Sequence, residues 1–250
     1  MGRKIGIISA KGGVGKTIIT INLASALMSL SKNVIAVDAD VKLSGLSLQL
    51  GMYHFPVTLD DVLEQGKPIL ESLYIHSTGL RIIPASLGMK KGPQLNRLKK
   101  VLEDPSLHDN IILIDCPPGL ESNALSVIKA CDEAIVVTTP EIPAVADMLK
   151  TLALLKKSGS KILGVIVNRY RNVNEQVRIS EIQAACGVPI LGVIKEDSLM
   201  TKSVFRRTPA VVIAPFARSS LEFKRIAAGI AGERFKKPSY LPMRRLLWRK

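Results

Sequence analysis

Cysteine and aromatic residues are scarce in this chain of 250 residues. Phenylalanine, tryptophan and tyrosine together make up 4% of it, so its core has to be built from aliphatic side chains. The three cysteines, Cys116, Cys131 and Cys186, are widely spaced and form no Cys-x-x-Cys pair. Such cysteines argue against a disulfide framework or a zinc site, and they are typical of a protein of the reducing cytosol.

Long hydrophobic runs are absent as well. The uncharged stretch at residues 17–31 is too short to cross a bilayer, which takes about 20 residues, and it contains Asn22. No signal peptide precedes the first strand-like segment, so we expect a cytoplasmic protein. No linker rich in glycine, serine or proline divides the chain, although its length would allow one large α/β domain or two small ones.

A glycine-rich segment, residues 10–17, has the sequence Ala-Lys-Gly-Gly-Val-Gly-Lys-Thr. It follows an apolar strand-like run, residues 4–9, and leads into an apolar stretch of good helix formers, residues 17–30. In a phosphate-binding loop, glycines allow successive backbone N–H groups to point at one anion, and the start of the helix adds its positive dipole end. The segment therefore predicts a phosphate site rather than a glycine-rich turn that binds nothing.

Two lysines belong to this loop. Lys16 would reach the β- and γ-phosphates of a nucleotide, and the Thr17 hydroxyl would hold Mg²⁺. Lys11 is the unusual residue, because an ordinary phosphate loop needs no charge at that position. Ala10 stands where the strict pattern has glycine.

Strand-like and helix-like segments alternate along the rest of the chain. Further strands are predicted at residues 33–38, 80–84, 110–115, 133–138, 161–167 and 189–194. Helices are predicted between them, for example at residues 58–65, 94–102, 143–157 and 173–185. This alternation predicts a three-layer α/β/α fold, with a mostly parallel sheet covered by helices on both faces. Ligands of such sheets bind beyond the carboxyl ends of the strands, where the glycine-rich loop, Asp38, Asp115 and Asn168 all fall.

Aspartates follow two of the predicted strands. Asp115 ends one of them and is followed by Cys-Pro-Pro-Gly119, at a position where a nucleotidase holds the water shell of Mg²⁺. Asp38 and Asp40 end another, and alternation along an extended chain puts both on the same side. We assign Asp38 and Asp115, with Thr17, to the metal shell, and Asp40 to orienting the water that attacks the γ-phosphorus. The simpler alternative for each aspartate is a helix cap or a turn.

These motifs, at residues 11–17, 38–40 and 115–119, together resemble those of the MinD/ParA family of deviant Walker A ATPases. Three further segments fall in the order seen in that family, at residues 82–86, 138–141 and 192–197. The resemblance covers about residues 3–232, which is nearly the whole chain. It implies a P-loop NTPase fold, an ATP hydrolase that uses ATP, ADP and Mg²⁺, and a homodimer when ATP is bound.

The resemblance also implies roles for single residues. In this family the first lysine of the loop crosses the dimer interface to the partner's ATP, so Lys11 would neutralise charge that develops in the transition state. Lys11, Lys16 and Asp40 are thus the expected catalytic residues. Asn168 matches the position at which family members read adenine, with an ordinary loop residue as the alternative. The expected nucleotide-binding residues are Lys11, Gly12, Gly13, Val14, Gly15, Lys16, Thr17, Ile18, Asn168, Arg169, Glu196 and Asp197.

Two positions depart from the family pattern. Gly45 stands where MinD-like proteins usually carry asparagine, which removes one phosphate-facing amide and bears on the hydrolysis rate more than on binding. Lys195 replaces the proline that usually precedes Glu196 and Asp197, on the adenine side of the expected site.

Half of the net charge of +14 lies near the C-terminus. The basic residues of segment 234–250, which has no acidic residue, are Arg234, Lys236, Lys237, Arg244, Arg245, Arg249 and Lys250. On a helix beginning near residue 242, Met243, Leu246 and Leu247 cluster on one side, and Trp248 could lie among lipid headgroups. We therefore predict a P-loop ATPase domain at residues 1–237 and a basic amphipathic membrane-targeting tail at residues 238–250.

An anionic membrane surface is the expected partner of this tail, and dimerisation would strengthen the attachment by pairing two tails. Basic charge also suits DNA, but the interleaved apolar residues favour the membrane over DNA or a solvated tail. Together with this tail, the resemblance implies a MinD-type ATPase on the inner face of the cell membrane, which regulates septum placement with an unidentified activator protein. The alternatives are a ParA-like DNA-partitioning ATPase, an ATP-locked scaffold and, less favoured, an iron–sulfur carrier.

Overall fold

The computed structural model describes residues 2–41, 44–87, 95–171 and 173–238. All but the first residue of the predicted membrane-targeting tail therefore lies outside the described residues, and the tail stays a prediction. The first residue of the helix predicted at residues 94–102 also lies outside them.

Within the described ranges one sheet of eight strands forms the centre of the molecule. The strands are β1 (Arg3–Ile8), β2 (Val34–Asp38), β3 (Tyr74–Ile75), β4 (Arg81–Ile83), β5 (Ile111–Asp115), β6 (Glu133–Thr138), β7 (Lys161–Tyr170) and β8 (Ile190–Lys195). Their order is β3-β4-β2-β5-β1-β6-β7-β8, and each neighbouring pair is parallel except β3 and β4. Apart from the short antiparallel β3, which the sequence did not indicate, this confirms the predicted mostly parallel sheet.

Helices cover both faces of the sheet and complete the predicted three layers. The α-helices of the described ranges are α1 (Lys16–Met28), α2 (Leu46–Gln49), α3 (Leu59–Gln65), α4 (Leu98–Val101), α5 (Ser122–Ala130), α6 (Ile142–Lys157), α7 (Ile179–Cys186), α8 (Ser198–Phe205), α9 (Ala210–Ile213) and α10 (Arg218–Ile230). None of the helices in these ranges is both long and apolar enough to cross a membrane.

The core on each face is largely aliphatic, as the composition predicts. On one face, α1 and α10 pack side chains such as Leu23 and Ile226 against the sheet, with Phe223 among them. On the other face, α3, α5, α6 and α7 contribute side chains such as Val127 and Leu155. The sheet positions between them, for example in β1 and β6, are buried on both sides, as expected for a parallel sheet between two helical layers.

The two edges of the sheet are protected in different ways. One edge is β3, which has only two residues. The other edge is β8, and α10 lies along it: the Glu222 carboxylate accepts a 3.2 Å hydrogen bond from the Val193 N–H, and Arg225 donates to the Leu191 carbonyl. Gly192 makes this close approach possible, because a Cβ atom there would lie 2.5 Å from Ile226 Cδ1.

The helix predicted at residues 173–185 is shorter in the structure, where α7 begins only at Ile179. Side chains at its start explain the difference. The side-chain oxygen Oε1 of Gln176 accepts a 2.9 Å hydrogen bond from the Arg171 N–H, which holds this segment in a turn. The carboxylate of Glu181, in the first turn of α7, accepts a 2.8 Å hydrogen bond from the N–H of the N-cap residue Arg178. These contacts end the turn and start the helix several residues later than the apolar pattern predicts.

Candidate active site

The glycine-rich loop joins β1 to α1 in the conformation that a phosphate site requires. Gly13 and Gly15 have φ values of +76° and +95°, in the left-handed region that favours glycine. The Ser9 hydroxyl donates a 2.6 Å hydrogen bond to the Lys11 carbonyl and closes the base of the loop. Gly15 is the N-cap of α1 and no described side chain caps the helix, so the first N–H groups of α1 are available to an anion.

The lysine, threonine and aspartate predicted for the phosphate and metal positions come together at this loop. Lys16 is buried at the start of α1. The Thr17 hydroxyl donates a 2.5 Å hydrogen bond to Asp115 Oδ2 at the end of β5. The other carboxylate oxygen, Asp115 Oδ1, is buried and has no hydrogen-bond partner among the described residues. A buried, unpartnered carboxylate oxygen beside a hydroxyl is a donor set that fits Mg²⁺.

Burial raises the pKa of both strand-ending aspartates. The pKa of Asp115 rises to about 6, mainly by burial, although the hydrogen bond from Thr17 and the charge of Lys16 oppose the shift. The pKa of Asp38 rises to about 8, again mainly by burial and further by the charge of Asp115. A cation bound near these two buried carboxyl groups would balance their negative charge and favour their ionised forms.

Asp38 holds the loop that follows β2. Its carboxylate accepts hydrogen bonds from the Asp40 N–H at 3.1 Å, the Ser44 hydroxyl at 2.9 Å and the Leu46 N–H at 3.0 Å. These bonds fix the path of the chain into α2, whose N-cap is Gly45. Asp38 is thus a positioning residue for this loop, and its place in the metal shell stays a prediction.

Asp40 lies across a cleft from the loop that follows β5. It lines a cavity of about 220 Å³ with Pro117, Pro118 and the start of α5. A Cβ atom at Gly12 would lie 3.8 Å from Pro118 Cβ, so the same proline loop borders the glycine-rich loop. Gly119 has the positive φ, +92°, that lets this backbone turn close to a ligand. The predicted water-orienting aspartate and phosphate loop are therefore brought to one site, with Lys11 half-buried beside them.

The predicted adenine-reading residue makes a contact that the sequence did not predict. Asn168, buried near the end of β7, donates from its amide nitrogen to the Val14 carbonyl at 2.7 Å. Gly15 leaves room for this side chain, since a Cβ there would lie 2.4 Å from Asn168 Nδ2. Arg169, which follows, is exposed and has a φ of +56°. Asn168 therefore lies against the phosphate loop, and its contact with adenine stays a prediction.

Glu196 and Asp197 have structural partners. Glu196 forms an ion pair with Arg171 on the surface. Asp197 caps α8 by accepting from the Leu199 N–H at 3.0 Å, and it accepts a 2.7 Å hydrogen bond from the Ser219 hydroxyl. Both residues line a cavity of about 710 Å³ beside α8 and α10. Their nucleotide-binding roles stay predictions.

Sequence reasoning missed two polar residues of the site. The Thr20 hydroxyl donates a 3.0 Å hydrogen bond to the Lys16 carbonyl, and it helps to oppose the rise in the pKa of the nearby Asp115 carboxyl. The position was visible in the sequence, because Thr20 lies one helical turn after Thr17 on the same face. Ser44 bonds Asp38 and was visible only as the neighbour of the unusual Gly45.

A glycine-rich loop between a buried strand and a helix, with a buried lysine and a threonine–aspartate pair, defines a P-loop nucleotidase. Comparisons with known proteins agree. A family model described as ParA: NUBPL iron-transfer P-loop NTPase matches residues 1–231. An uncharacterized ATP-binding protein of Methanocaldococcus jannaschii is 37% identical, over 92% of this chain and 88% of its own length.

Solved structures give the same result. The cell division ATPase MinD of Pyrococcus furiosus has a TM-score of 0.86 at 35% identity, covering 93% of this chain and 99% of its own. The septum site-determining protein MinD of Pyrococcus horikoshii, solved with Mg-ADP, has a TM-score of 0.84 at 36% identity and covers 92% and 96%. The chain therefore belongs to the ParA/MinD family of P-loop ATPases.

Membership confirms the predicted family, fold and enzyme class, an ATP hydrolase whose ligands are ATP, ADP and Mg²⁺.

Proposed function

We propose that this chain is a MinD-type ATPase that regulates the position of cell division. ATP binding joins two copies into a homodimer that attaches to the inner face of the cell membrane, and hydrolysis releases it to the cytoplasm. Residues 1–237 form the ATPase domain and residues 238–250 the membrane-targeting tail. The observation that carries this proposal is the Thr17–Asp115 pair beside a phosphate loop with a second lysine, in a chain similar to two archaeal MinD structures.

Different residues of the site have different roles in ATP binding and hydrolysis. Lys16 and the N–H groups at the start of α1 bind the phosphates, and Asp40 orients the attacking water from across the cleft. Asn168, held by the Val14 carbonyl, turns its amide oxygen to the exocyclic amine of adenine. Thr17 and Asp115 hold Mg²⁺, which, when bound, neutralises negative charge on the phosphates.

Homodimerisation rests on the different surroundings of the two loop lysines. Lys16 is buried, and its charge acts on Asp115 within the same chain. Lys11 stands at the other end of the loop and is half-buried, and Gly12 and Gly13 beside it are exposed. A second subunit that covers this open side would bring its own phosphates to Lys11, which would then stabilise the transition state in trans.

Membrane attachment rests on the basic and apolar residues of the tail, and on the gain in avidity when a dimer presents two tails. A ParA-like DNA-partitioning ATPase is the second candidate, because DNA attracts the same basic charge. An iron–sulfur carrier is less well supported, since Cys116 and Cys186 are buried rather than presented at a surface. The activator that accelerates hydrolysis, and the structure that is positioned, would be partners of the dimer.

Sedimentation with phosphatidylglycerol-containing vesicles tests the membrane cycle. We expect the full chain to sediment with ATP but not with ADP, and a chain ending at Lys237 to stay in solution with either nucleotide. Sedimentation that is independent of ATP, or unchanged by truncation, would contradict the membrane switch. Binding to duplex DNA but not to vesicles would favour the ParA-like alternative.

Lys11→Ala tests the action in trans. We expect hydrolysis to fall by about 10³-fold or more, as for a lost arginine finger, while ATP still binds through Lys16. Lys157→Ala, at the exposed end of α6, is the matched control and should hydrolyse ATP normally. Normal hydrolysis by Lys11→Ala would exclude the proposed role.

Asp40→Ala tests the role of the water-orienting carboxylate. We expect this variant to bind ATP and to accumulate as a dimer in size-exclusion chromatography, because the attacking water is no longer held in line. A monomeric variant that still hydrolyses ATP would overturn the role of Asp40.

A further inference from the structure

We propose that the exposed face of α8 is a second membrane-contact surface, which lies on anionic lipid beside the tail. This inference rests on the proposed membrane attachment and adds a surface of the folded domain to it. We call this surface the α8 face and define it by Thr201, Lys202, Val204, Phe205 and Arg206, all of which are exposed.

An aromatic side chain stands at the centre of the α8 face. Phe205 is 88% exposed, more than any other large hydrophobic side chain in the described residues. At helical spacing, Lys202 and Arg206 lie on one side of Phe205. Thr201 and Val204 lie on the other side, and Val204 is 37% exposed. The opposite side of the helix carries the buried Ser203 toward the domain. Apolar residues beside cations are the composition of helices that lie in a membrane interface.

The charge around the α8 face is favourable to an anionic surface. Glu196 and Asp197 line the cavity beside α8, and Glu222 lines the neighbouring cavity with Arg218; each of these acids has a partner within the described residues. Glu196 pairs with Arg171, Asp197 caps α8, and Glu222 pairs with Arg225. Lys202, Arg206 and Arg218, by contrast, form no ion pair within the described part of the chain. The local positive charge is therefore available to lipid headgroups.

The α8 face is continuous with the segment that leads into the tail. Lys202 and Arg218 line the same cavity of about 710 Å³ between α8 and α10. Arg218 also lines a cavity of about 210 Å³ with Phe235 and Lys237. After α10 the chain thus turns back along that helix, and the last described residues bring the start of the tail to Arg218. A membrane that binds the tail is brought close to the α8 face by this path.

Lipid explains this combination of residues better than DNA does. The phosphates of DNA would attract Lys202 and Arg206, but they would leave the Phe205 ring in water. A lipid interface takes up the ring among the acyl chains and the cations among the headgroups at once. The tail and the α8 face then act as two linked contacts, so each raises the effective concentration of the other at the surface.

Vesicle sedimentation of full-length variants with ATP tests this proposal. We expect Phe205→Ala to lower the affinity for phosphatidylglycerol and phosphatidylcholine vesicles by about tenfold, because the buried ring is lost. Lys202→Glu should lower the affinity by about fivefold or more, and this loss of affinity should be smaller at high salt. The controls are Leu70→Ala, an exposed apolar residue, and Lys157→Glu, which makes the same charge change in the last turn of α6. Both controls should bind as the wild type does.

The possible outcomes separate the two proposals. If the wild type sediments with ATP and both α8 variants match it, the α8 face is not a membrane contact, while the proposed function stands. If the wild type does not sediment with ATP, the proposed membrane cycle fails and the α8 proposal fails with it. If the α8 variants lose affinity for duplex DNA but not for vesicles, the surface binds nucleic acid and the proposal is overturned. The ATPase rate of Phe205→Ala without vesicles verifies its folding, and we expect the wild-type value because this side chain is exposed. Lys202 lines a cavity with Glu196 and Asp197, so the folding of Lys202→Glu is verified by circular dichroism instead.

Discussion

Asp38 and Asp115 lie directly opposite each other on the adjacent parallel strands β2 and β5. Both side chains are buried, and burial raises the pKa of each, to about 8 for Asp38 and about 6 for Asp115. In the free protein these two acids destabilise each other whenever both are ionised. This arrangement favours the binding of a cation at the cost of stability in its absence, as is common at functional sites.

The pH dependence of stability follows from these pKa values. Both are raised above the ordinary value of 3.8, so the folded chain binds protons that the unfolded chain releases. Their contribution to the free energy of unfolding is therefore full below about pH 4 and is lost as the pH rises through about 6 and then about 8. We expect urea denaturation of the nucleotide-free protein to show this decline.

Asp115→Asn should make that decline shallower. At pH 8 we expect the variant to be more stable than the wild type by about 1–3 kcal/mol, because one buried charge is removed. Its ATP hydrolysis should be lost, since the carboxylate that we propose as a Mg²⁺ ligand is missing. Glu175→Gln, which removes an exposed carboxylate, should change neither property. A less stable Asp115→Asn variant with an unchanged pH slope would contradict the prediction.

Gly15→Ala should damage both stability and nucleotide binding. The substitution places alanine at a φ of +95° and puts its Cβ 2.4 Å from Asn168 Nδ2, so the bond from Asn168 to Val14 has to break. Gly159→Ala is the matched control, because its φ is +71° but nothing lies within 4 Å of the added Cβ. The control should lose about 1–2 kcal/mol from backbone strain alone. We expect a larger loss for Gly15→Ala in chemical denaturation, and at least about tenfold weaker ATP binding in calorimetry. Equal losses in both variants would exclude the steric contact.

Gly6→Ala should reveal how tightly the core is packed beneath the site. Its Cβ would lie 2.8 Å from Cys131 Sγ and 3.4 Å from Cys116 Sγ, so we expect a loss of about 1–3 kcal/mol. Adding Cys131→Ala makes room for the methyl group, and the double variant should lose less than the sum of the single ones. Gly6→Ala combined with Cys186→Ala should be additive. Additivity in both pairs would show that Cys131 does not restrict this position.

Asn168→Ala should weaken nucleotide binding without unfolding the domain. The variant loses the hydrogen bond to the Val14 carbonyl and the amide expected to recognise adenine. We expect KM for ATP to rise by about tenfold and the preference for ATP over GTP to narrow, as measured by steady-state hydrolysis. Asn174→Ala, at an exposed turn, should leave both unchanged. An unaltered preference for ATP would mean that Asn168 only supports the loop.

The central strands could be predicted from the sequence because each is a short apolar run buried on both faces. β1, β2, β5 and β6 begin and end within one residue of the predicted limits. The two-residue β3 has no such pattern, since it pairs only at the edge of the sheet. β7 continues past the predicted end at residue 167 to Tyr170, because that residue still pairs with Lys195 of β8. The polar side chains at the end of β7 do not follow the apolar pattern of a buried strand, and the pairing with β8 extends β7 beyond that pattern.

Two residues of the predicted metal shell come together because each belongs to a motif that follows the carboxyl end of a predicted parallel strand, while their role in holding a metal stays a prediction. Thr17 and Asp115 were expected to share one metal, and they are in direct contact. The contact between Asn168 and Val14 could not be predicted in the same way. It joins residues from β7 and from the loop after β1, so it depends on a strand order that the sequence does not specify. The bonds of Asp38 to Ser44 and Leu46 depend likewise on how the loop folds back.

The protected edges of the sheet limit how copies of this protein can associate. Exposed strand edges are templates onto which a second chain can add its own backbone, a route to aggregation. Here β3 offers only two residues, and α10 occupies hydrogen-bonding groups of β8 through Glu222 and Arg225. Polymerisation by strand addition is therefore disfavoured at both ends of the sheet. Association is directed instead to loops and helix faces, where contacts between copies can form and dissociate without opening the sheet.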